Sequence, residues 1–327
     1  MPTGTPKRIM QWPGSDTWGF AVSADGKRLV FQKTAGQTQI HVGELDGGGT
    51  RMKTPRRLTN AEANDVPTAW TPDSKALLFQ SDRNNGTSGI FKQQINSDEA
   101  QAVIIGQQDA YDPRISAGGE WILYFETPKG AGPSTPVRLM RVPIAGGPPQ
   151  FVLEMGDADF DCSCAPAGLC VLAENSHDGK QLTVTAFDPL KGRGKVLRTI
   201  PKDAAASFAG GISPDGTVFA IAKYSEPEIH IRLLSLSGST DREITVKGWP
   251  NVTGLNWSAD GKGMYCGSVS VRGTTLLHVD LEGNARVLWQ SSGHRIAGIP
   301  SLDGRYLAII SPKISAWSRR NLGASDW

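Results

Sequence analysis

One short polar turn recurs along the chain at nearly even spacing, and this recurrence restricts the fold more than any other feature. Successive copies begin 43 to 49 residues apart. A period in the forties is typical of repeat architectures, in which each unit shares a hydrophobic core with its neighbours. The seven copies are Ser23-Ala24-Asp25-Gly26, Thr71-Pro72-Asp73-Ser74, Ser116-Ala117-Gly118-Gly119, Cys164-Ala165-Pro166-Ala167-Gly168, Ser213-Pro214-Asp215-Gly216, Ser258-Ala259-Asp260-Gly261 and Ser301-Leu302-Asp303-Gly304.

Each repeat has the pattern of four short strands. In residues 252–288 one apolar run precedes the turn at Ser258, and three more runs follow it, separated by Gly, Asp and Asn. Short runs with period-two patterning between such residues are typical of antiparallel strands joined by tight turns. Four strands per repeat predict the blades of a propeller.

The sequence therefore predicts an all-β protein. We expect one domain, residues 1–327, that forms a single seven-bladed β-propeller of four-stranded antiparallel blades, with six or eight blades as the alternative counts. The 38 glycines and 21 prolines suit a chain with many turns. The predicted blades are 18–59, 68–105, 112–154, 159–200, 208–246, 252–289, and 295–327 completed by 7–10.

The N-terminal segment is predicted to close the ring. Arg8 precedes Gly26 by 18 residues, and Arg57 precedes Ser74 by 17 residues, so residues 7–10 align with the outer strand at 56–59. The first strand of the chain would then complete the last blade. Closure of this kind removes the exposed strand edges of an open array.

The second repeat resembles those of TolB-like propellers, which are related to the WD-repeat propellers. The resemblance rests on an apolar strand, a Ser-Asp-Arg segment, an Asn-Gly turn and an Ile-Phe pair, which follow a Pro-Asp turn. These are Leu77-Leu78-Phe79-Gln80, Ser81-Asp82-Arg83, Asn85-Gly86, Ile90-Phe91 and Pro72-Asp73.

Residues 160–310 are also similar to the C-terminal propellers of acidobacterial serine/threonine kinases and winged-helix regulators. The segments that carry this resemblance are Phe160-Asp161-Cys162, Leu169-Cys170-Val171-Leu172, Phe187-Asp188-Pro189, Leu255-Asn256-Trp257, Leu276-Leu277-His278-Val279-Asp280, Val287-Leu288-Trp289 and Asp303-Gly304-Arg305.

That resemblance implies a bacterial sensor or scaffold domain for signalling, on the extracytoplasmic or periplasmic side of a membrane. Its protein or small-molecule ligand is unknown. The chain has no kinase domain, winged helix, membrane helix or signal peptide, so we expect a stand-alone relative or a fragment of a larger kinase or transcriptional regulator. We predict no insertion of this chain into a membrane, because no apolar run reaches the length needed.

Charge and motifs disfavour several other functions. The formal net charge is +2 and like charges do not cluster, which argues against binding to nucleic acid or an anionic membrane. Nucleophile elbows, zinc-protease motifs, P-loops and dinucleotide fingerprints do not occur. We therefore predict a protein that is not an enzyme and needs no cofactor.

The four cysteines fit a zinc site poorly, because zinc sites use paired ligands at C-x2-C-type spacing, whereas Cys162, Cys164 and Cys170 are spaced C-x-C-x5-C. Cys162 and Cys170 fall at the facing ends of two adjacent predicted strands. They are predicted to form a disulfide if the domain lies outside the cytoplasm, with reduced buried thiols as the alternative. Cys266 lies in an apolar strand and is expected in the core.

A ligand site is predicted at one mouth of the central channel, because the segments that lead into the first strand of each blade converge there. Carboxylates and aromatic rings at such a rim suit a sugar, a cationic peptide or a cation. The alternative is that the polar residues cap turns and the aromatic residues pack between blades. The residues concerned are Asp16, Trp18, Asp65, Tyr111, Asp112, Asp159, Trp249, Asn251, His294 and Arg295.

Three functions follow from this sequence. The first is a non-catalytic binding, sensor or protein-interaction propeller. The second is a propeller lyase or glycan hydrolase whose acid and base groups lie at the channel mouth. The third is a self-assembly scaffold, which exposed strand edges in an imperfect last blade would favour.

Overall fold

The computed structural model contains strands and short turns throughout. It describes residues 16–23, 25, 29–34, 37–60, 62–132, 135–156, 158–165, 168–202, 207–238, 240–291 and 296–312. The all-β propeller class predicted from the repeats is confirmed.

Five blades follow one another along the chain. Each is a four-stranded antiparallel sheet whose strands lie in sequence order. The first blade is β6 (Asp65–Trp70), β7 (Ala76–Asn84), β8 (Thr87–Gln94) and β9 (Ala100–Ile104); the second is β10 (Gln108–Ile115), β11 (Trp121–Pro128), β12 (Val137–Pro143) and β13 (Gln150–Met155); the third is β14 (Ala158–Cys162), β15 (Cys170–Asn175), β16 (Gln181–Asp188) and β17 (Gly192–Pro201); the fourth is β18 (Phe208–Ile212), β19 (Val218–Lys223), β20 (Ile229–Ser235) and β21 (Arg242–Val246); the fifth is β22 (Val252–Trp257), β23 (Gly263–Ser270), β24 (Gly273–Asp280) and β25 (Ala285–Ser291).

The remaining strands come from the two ends of the described chain. A short 3₁₀ turn at Gly47–Gly49 separates two of them. They are β1 (Asp16–Val22), β2 (Leu29–Thr34), β3 (Thr38–Asp46), β4 (Arg51–Met52), β5 (Arg56–Arg57), β26 (Ala297–Pro300) and β27 (Tyr306–Pro312).

A sixth sheet, which we call the closing blade, joins these two ends. Its strand order is β26-β27-β3-β4, and β5 also pairs with β3. β27 and β3 pair over seven residues, from Tyr306 opposite Glu44 to Pro312 opposite Thr38. The inner half of this blade therefore comes from late in the chain and the outer half from early in the chain.

The closed ring has six blades, so the predicted count of seven is wrong. The inner strands β6, β10, β14, β18, β22 and β26 neighbour one another in turn, and β26 returns to β6. The predicted blade 18–59 does not form, because β27 occupies the edge of β3 that β2 would need. β1 and β2 instead form a separate two-stranded sheet. The predicted closing segment, residues 7–10, lies outside the described residues.

The closing blade is packed on both faces. Ile40, Val42 and Ala308 join a cluster with Trp70 and Phe79 of the first blade. Leu307 and Ile309 join a cluster on the other side with Tyr265 and Leu276 of the fifth blade. Side chains alternate between the two faces of a strand, so β27 contributes to both clusters at once. This burial on both sides holds the ring closed.

The recurring turn is stabilised by its own side chains. The hydroxyl of Ser213 donates to Asp215 Oδ1 over 2.6 Å and accepts the backbone N–H of Val218 over 3.0 Å. The same two bonds recur at Ser258 and at Ser301. The bond from Ser213 holds the pKa of Asp215 below its usual value. The serine is buried in each of these three copies, which explains why the turn keeps this residue type.

A disulfide links the first two strands of the third blade. Cys162 and Cys170 lie directly opposite each other in the β14–β15 pair, and the disulfide joins them. Cys266 is buried in the core between the fourth and fifth blades. Cys164 is an exposed free thiol.

Ring closure can be tested by a cross-link between β3 and β27. Val42 and Ala308 lie directly opposite each other, so we expect the V42C/A308C variant, made in a C164S background, to oxidise to an intramolecular disulfide. Because this link spans most of the chain, it should stabilise the fold by about 2 to 5 kcal/mol. The measurements are the mass of the non-reduced protein and its unfolding in denaturant. A variant with V42C alone is the control, and a double variant that stays reduced would contradict this closure.

The native disulfide gives a second prediction. The C162S/C170S variant should lose about 2 to 3 kcal/mol of unfolding free energy, because the link closes only a short loop. The measurement is equilibrium unfolding in denaturant, and the C164S variant serves as a matched control for loss of a thiol. Equal stability of the double variant and the wild type would show that the disulfide does not constrain the unfolded chain.

Candidate functional site

Charged residues alternate on the inner strands of the second and third blades. Asp112 and Arg114 lie on β10, and Asp159 and Asp161 lie on β14. Residues two apart on a strand point to the same face. We call these four residues the channel cluster, because they lie on inner strands and bridge towards neighbouring inner strands.

Arg114 is the centre of the channel cluster. Its Nη1 donates to Asp112 Oδ1 over 2.5 Å and to the backbone carbonyl of Thr68 on β6 over 3.3 Å. Its Nε lies 3.9 Å from Asp161 Oδ1 on β14. One guanidinium therefore connects the inner strands of three consecutive blades. A planar fork with several donors suits this position better than the single ammonium of a lysine.

Asp161 extends these contacts to a fourth blade. Its Oδ2 accepts the backbone N–H of Ile212 on β18 over 3.0 Å, and its Oδ1 accepts that of Cys162 over 2.9 Å. Gly211 makes room for this carboxylate, because a Cβ atom there would lie 2.8 Å from Asp161 Oδ2. Any larger residue at 211 would displace the Asp161 side chain.

Asp112 is held in an uncommon backbone conformation. Its φ is +51°, in the left-handed region that aspartate tolerates better than most residues. Its backbone N–H donates to Gln80 Oε1 on β7 over 2.9 Å. The pairing of β10 with β11 is irregular at this point, between Tyr111 and Arg114. The irregularity turns Asp112 towards Arg114.

Three carboxylates share the field of one guanidinium, that of Arg114. Burial lowers the pKa of Arg114, but the negative charges of Asp112, Asp161 and Asp159 outweigh burial and raise this pKa. Burial raises the pKa of Asp161 in spite of Arg114. Loss of hydration next to the surrounding protein and the charge of Asp112 raise the pKa of Asp159 to about 7, and the charge of Arg114 offsets this only in part. Asp159 is exposed. The cluster is therefore short of positive charge at neutral pH.

Asp65 takes a different place from the one that the sequence predicts. It is fully buried at the start of β6, and its Oδ1 accepts a bond of 2.7 Å from Arg83 Nη2. The guanidinium of Arg83 also lies over the rings of Phe79 and Phe91, at 5.1 and 4.8 Å. The structure thus places Asp65 in a buried ion pair and not at an open rim.

The other predicted rim residues within the described chain have structural contacts. Tyr111 packs against Phe125 with ring centroids 5.6 Å apart, and burial raises its pKa. Trp249 packs against the core between the fourth and fifth blades. Asn251 has φ +49° and its side chain donates to the carbonyl of Val269 over 3.3 Å. Asn251 therefore shapes a turn, as the alternative interpretation of the rim proposed.

The remaining predicted residues cannot be placed in the site. His294 and Arg295 lie outside the described residues, as do the side chains of Asp16 and Trp18. The strand that carries Asp16 and Trp18, β1, is not one of the six inner strands. Sequence reasoning brought Asp112 and Asp159 into the site but missed Arg114 and Asp161. The period-two patterns Asp-x-Arg and Asp-x-Asp within the inner strands were the signal that could have found them.

The described residues contain neither a cluster of metal ligands nor a helix that could span a membrane. Within the ranges given above, no group of three or more His, Cys, Asp or Glu side chains could hold a metal ion. The same ranges contain no helix with the length and apolarity that crossing a membrane requires. The channel cluster is thus a set of carboxylates and one guanidinium rather than a preformed metal centre.

Comparisons with known proteins agree with this architecture. A protein described as TolB from Agrobacterium tumefaciens has a TM-score of 0.65 at 15% identity, over 85% of this chain and 99% of that chain. TolB from Acinetobacter baumannii has a TM-score of 0.60 at 14% identity, over 80% of this chain and 65% of that chain. A chain of the nidogen/laminin complex has a TM-score of 0.55 at 12% identity, over 84% of this chain and 98% of that chain. At these identities the likeness shows the fold alone.

A comparison with curated proteins gave no match. The family described as TolB beta propeller domain matches residues 1–202, which is more than half of the chain. The match covers the residues that carry Asp112, Arg114, Asp159 and Asp161. Together with the ring of four-stranded blades, it shows that this chain belongs to the TolB β-propeller domain family.

Proposed function

We propose that the protein is a non-catalytic binding or sensor domain, and that its channel cluster binds a positively charged group of a protein or peptide partner. The observation that carries this proposal is the charge of the cluster. Asp112, Asp159 and Asp161 surround a single guanidinium, that of Arg114. A ligand cation would supply the charge that these carboxylates lack.

Electrostatics inside a channel favour such a ligand. Charges with low-dielectric protein around them interact more strongly than charges at an open surface. Asp159 is exposed, so a ligand can reach it, whereas Asp65 already has its cation in Arg83. A lysine or arginine side chain that enters the channel would meet Asp159 first.

The disulfide supports a location outside the cytoplasm. Disulfides persist in oxidising compartments such as the periplasm. Cys162 and Cys170 form one at the end of β14, the strand that carries Asp159 and Asp161. We therefore include an extracytoplasmic, periplasmic location in the proposal. We also retain the role as a sensor domain associated with a kinase or transcriptional regulator, which rests on the resemblance described above.

A second candidate function is acid–base catalysis in the channel, and Asp159 is the observation that favours it. A carboxyl group with a pKa of about 7 can donate or accept a proton near neutral pH. Asp112, whose charge contributes to this shift, would be its partner carboxylate. Self-assembly as a scaffold stays a third proposal; in the closing blade, β27 is paired on both edges, by β26 and by β3.

The proposed function predicts binding that strengthens with pH. A cationic ligand prefers ionised Asp159, and below a pKa of about 7 it must displace a proton. We expect the affinity for a Gly-Gly-Lys-Gly-Gly peptide to fall about tenfold between pH 8 and pH 6, because one proton is coupled to binding. The D159N variant should bind more weakly and without this pH dependence. The measurement is calorimetric titration at the two pH values.

Two controls make this test specific. The same peptide with acetylated lysine has no charge and should not bind, provided that both peptides have an acetylated N-terminus and an amidated C-terminus. The D98N variant removes an exposed aspartate from the β8–β9 turn, outside the channel cluster, and should bind like the wild type. Wild-type affinity in D159N, or equal binding of the acetylated peptide, would refute the proposed function.

The stability of the free protein gives a further prediction. Because the pKa of Asp159 is raised to about 7 in the folded state, the wild type should lose stability as pH rises from about 4, the pKa of aspartate in an unfolded chain, to about 7. The D159N variant mimics the protonated form, so its advantage in thermal midpoint over the wild type should be larger at pH 8 than at pH 5. A midpoint that is equal or lower at pH 8 would show that Asp159 is not short of positive charge.

A further inference from the structure

Two junctions between blades are built in the same way. Trp70 and Trp257 each end an inner strand, and each stands directly before the recurring turn. The indole of Trp70 donates to the carbonyl of Ile299 on the closing blade over 2.9 Å. The indole of Trp257 donates to the carbonyl of Gly211 on the fourth blade over 3.1 Å. Ile299 and Gly211 both stand two residues before a turn serine, so the two junctions can be compared residue by residue.

The junction at Trp70 is filled. Tyr306 of the closing blade stacks on Trp70, with ring centroids 6.0 Å apart and ring planes at 21°. Only 2% of Trp70 is exposed. The two turns are also joined, because Ser74 Oγ accepts the backbone N–H of Asp303 over 3.1 Å. Ser74 makes this bond from a φ of +57°, a conformation that serine adopts rarely.

The junction at Trp257 is open, because its fillers are replaced by smaller residues. Val218 stands where Tyr306 stands, and Gly261 stands where Ser74 stands. Gly261 has no side chain with which to join the opposite turn, and its φ is +68°. Trp257 is accordingly only half-buried. A groove of about 540 Å³ lies at this junction between the fourth and fifth blades.

Polar groups of both signs surround the open ring. Asp215 and Asp260 line the groove from the two turns, and Arg242 lines it from β21. The Oδ1 atom of each aspartate is engaged by its own turn, through Ser213 and Thr217 or through Ser258 and Lys262. Within the described residues, the Oδ2 atom of neither aspartate accepts a hydrogen bond. Both Oδ2 atoms are therefore available as acceptors.

We propose that this groove is a saccharide-binding site in which a pyranose ring stacks on Trp257. The ring would occupy the volume that the Tyr306 ring occupies at the equivalent junction. The apolar face of a sugar packs well on an aromatic ring, and its hydroxyls need acceptors and donors at the edge. Asp215 and Asp260 supply acceptors, and Arg242 supplies donors. The volume is enough for one or two sugar units.

The charges favour a sugar over the two other ligands that an exposed tryptophan could bind. A cationic head group offers no acceptor to the guanidinium of Arg242, which lines the same groove. An aromatic peptide side chain would leave both carboxylate oxygens without a donor, which is costly once they lose water. A neutral ring with many hydroxyls satisfies all of these groups.

The ligand groups of this site differ from those of the channel cluster, although Gly211 contacts both: its carbonyl accepts the indole bond of Trp257, and its Cα faces Asp161. Trp257 is the last residue of its inner strand, whereas Asp159 lies near the start of its own. The two sites also lie on different blades. The saccharide proposal therefore does not rest on the proposed function of the channel.

The test is binding of the labelled full chain to an array of defined glycans, from single pyranoses to tetrasaccharides. The V218Y variant places at this junction the tyrosine that fills the other one, and should lose tenfold or more in affinity for any glycan that the wild type binds. The G261S variant should weaken the same binding. The V218T variant keeps the volume of valine and should bind like the wild type.

The outcomes separate the alternatives. The thermal midpoint of V218Y should equal or exceed that of the wild type, since an added ring fills the groove, and this shows that a loss of binding is not a loss of folding. No wild-type binding to any glycan, or equal binding by V218Y, would overturn the proposal. Two further probes are benzyltrimethylammonium and a Gly-Gly-Tyr-Gly-Gly peptide. If the wild type binds either probe, V218Y does not, and no glycan binds, the groove has another ligand class and the proposal is wrong.

Discussion

The pairing of β27 with β3 is the interaction on which the rest of the structure depends. It joins residues from opposite ends of the described chain over a seven-residue register, and it buries Ala308 on one face and Ile309 on the other. Such a pairing carries a large entropic cost of loop closure, and it is recovered only when the whole ring is in place. The six inner strands then surround one channel, and their spacing positions every contact of Arg114.

The channel cluster shows how a repeat produces a site that no single repeat contains. Arg114 reaches from the second blade to Thr68 in the first and to Asp161 in the third, and Asp161 reaches the fourth. No blade supplies more than two of the four charged side chains. The glycine at position 211 is as important to this arrangement as the carboxylate at position 161, because a side chain at 211 would occupy the space of the Asp161 carboxylate. Divergence between repeats, and not the repeat itself, therefore creates the chemistry.

The sequence predicts the turns and the strands between them, but it does not predict which distant strands pair. Turns such as Ser213 to Gly216 are stabilised by their own hydroxyl and carboxylate, so their positions and the strands between them follow from the pattern. The count of blades does not follow from the pattern. The hairpins that contain Ser23 and Ser301 carry the same turn, and the sequence offers a strand from each of them as the partner of β3. Only packing on Trp70 and Tyr265 distinguishes them. In the channel, a position before or at the start of a strand predicts Asp112 and Asp159, whereas Arg114 and Asp161 lie within strands, where strand alternation alone does not mark a site.

The two tryptophan junctions provide a comparison, within one molecule, between a filled and an open groove. The same indole bond to a neighbouring inner strand holds both junctions together, so neither needs a filled groove to maintain its geometry. Tyr306 and Ser74 seal one junction next to the closing blade, where the ring depends on pairing between distant strands. The junction at Trp257 joins blades that are consecutive in the chain, and it can leave Val218 and Gly261 in those positions without endangering closure. This propeller therefore keeps an open aromatic groove between two blades that are consecutive in the chain. It fills the equivalent groove where strands from distant parts of the chain close the ring.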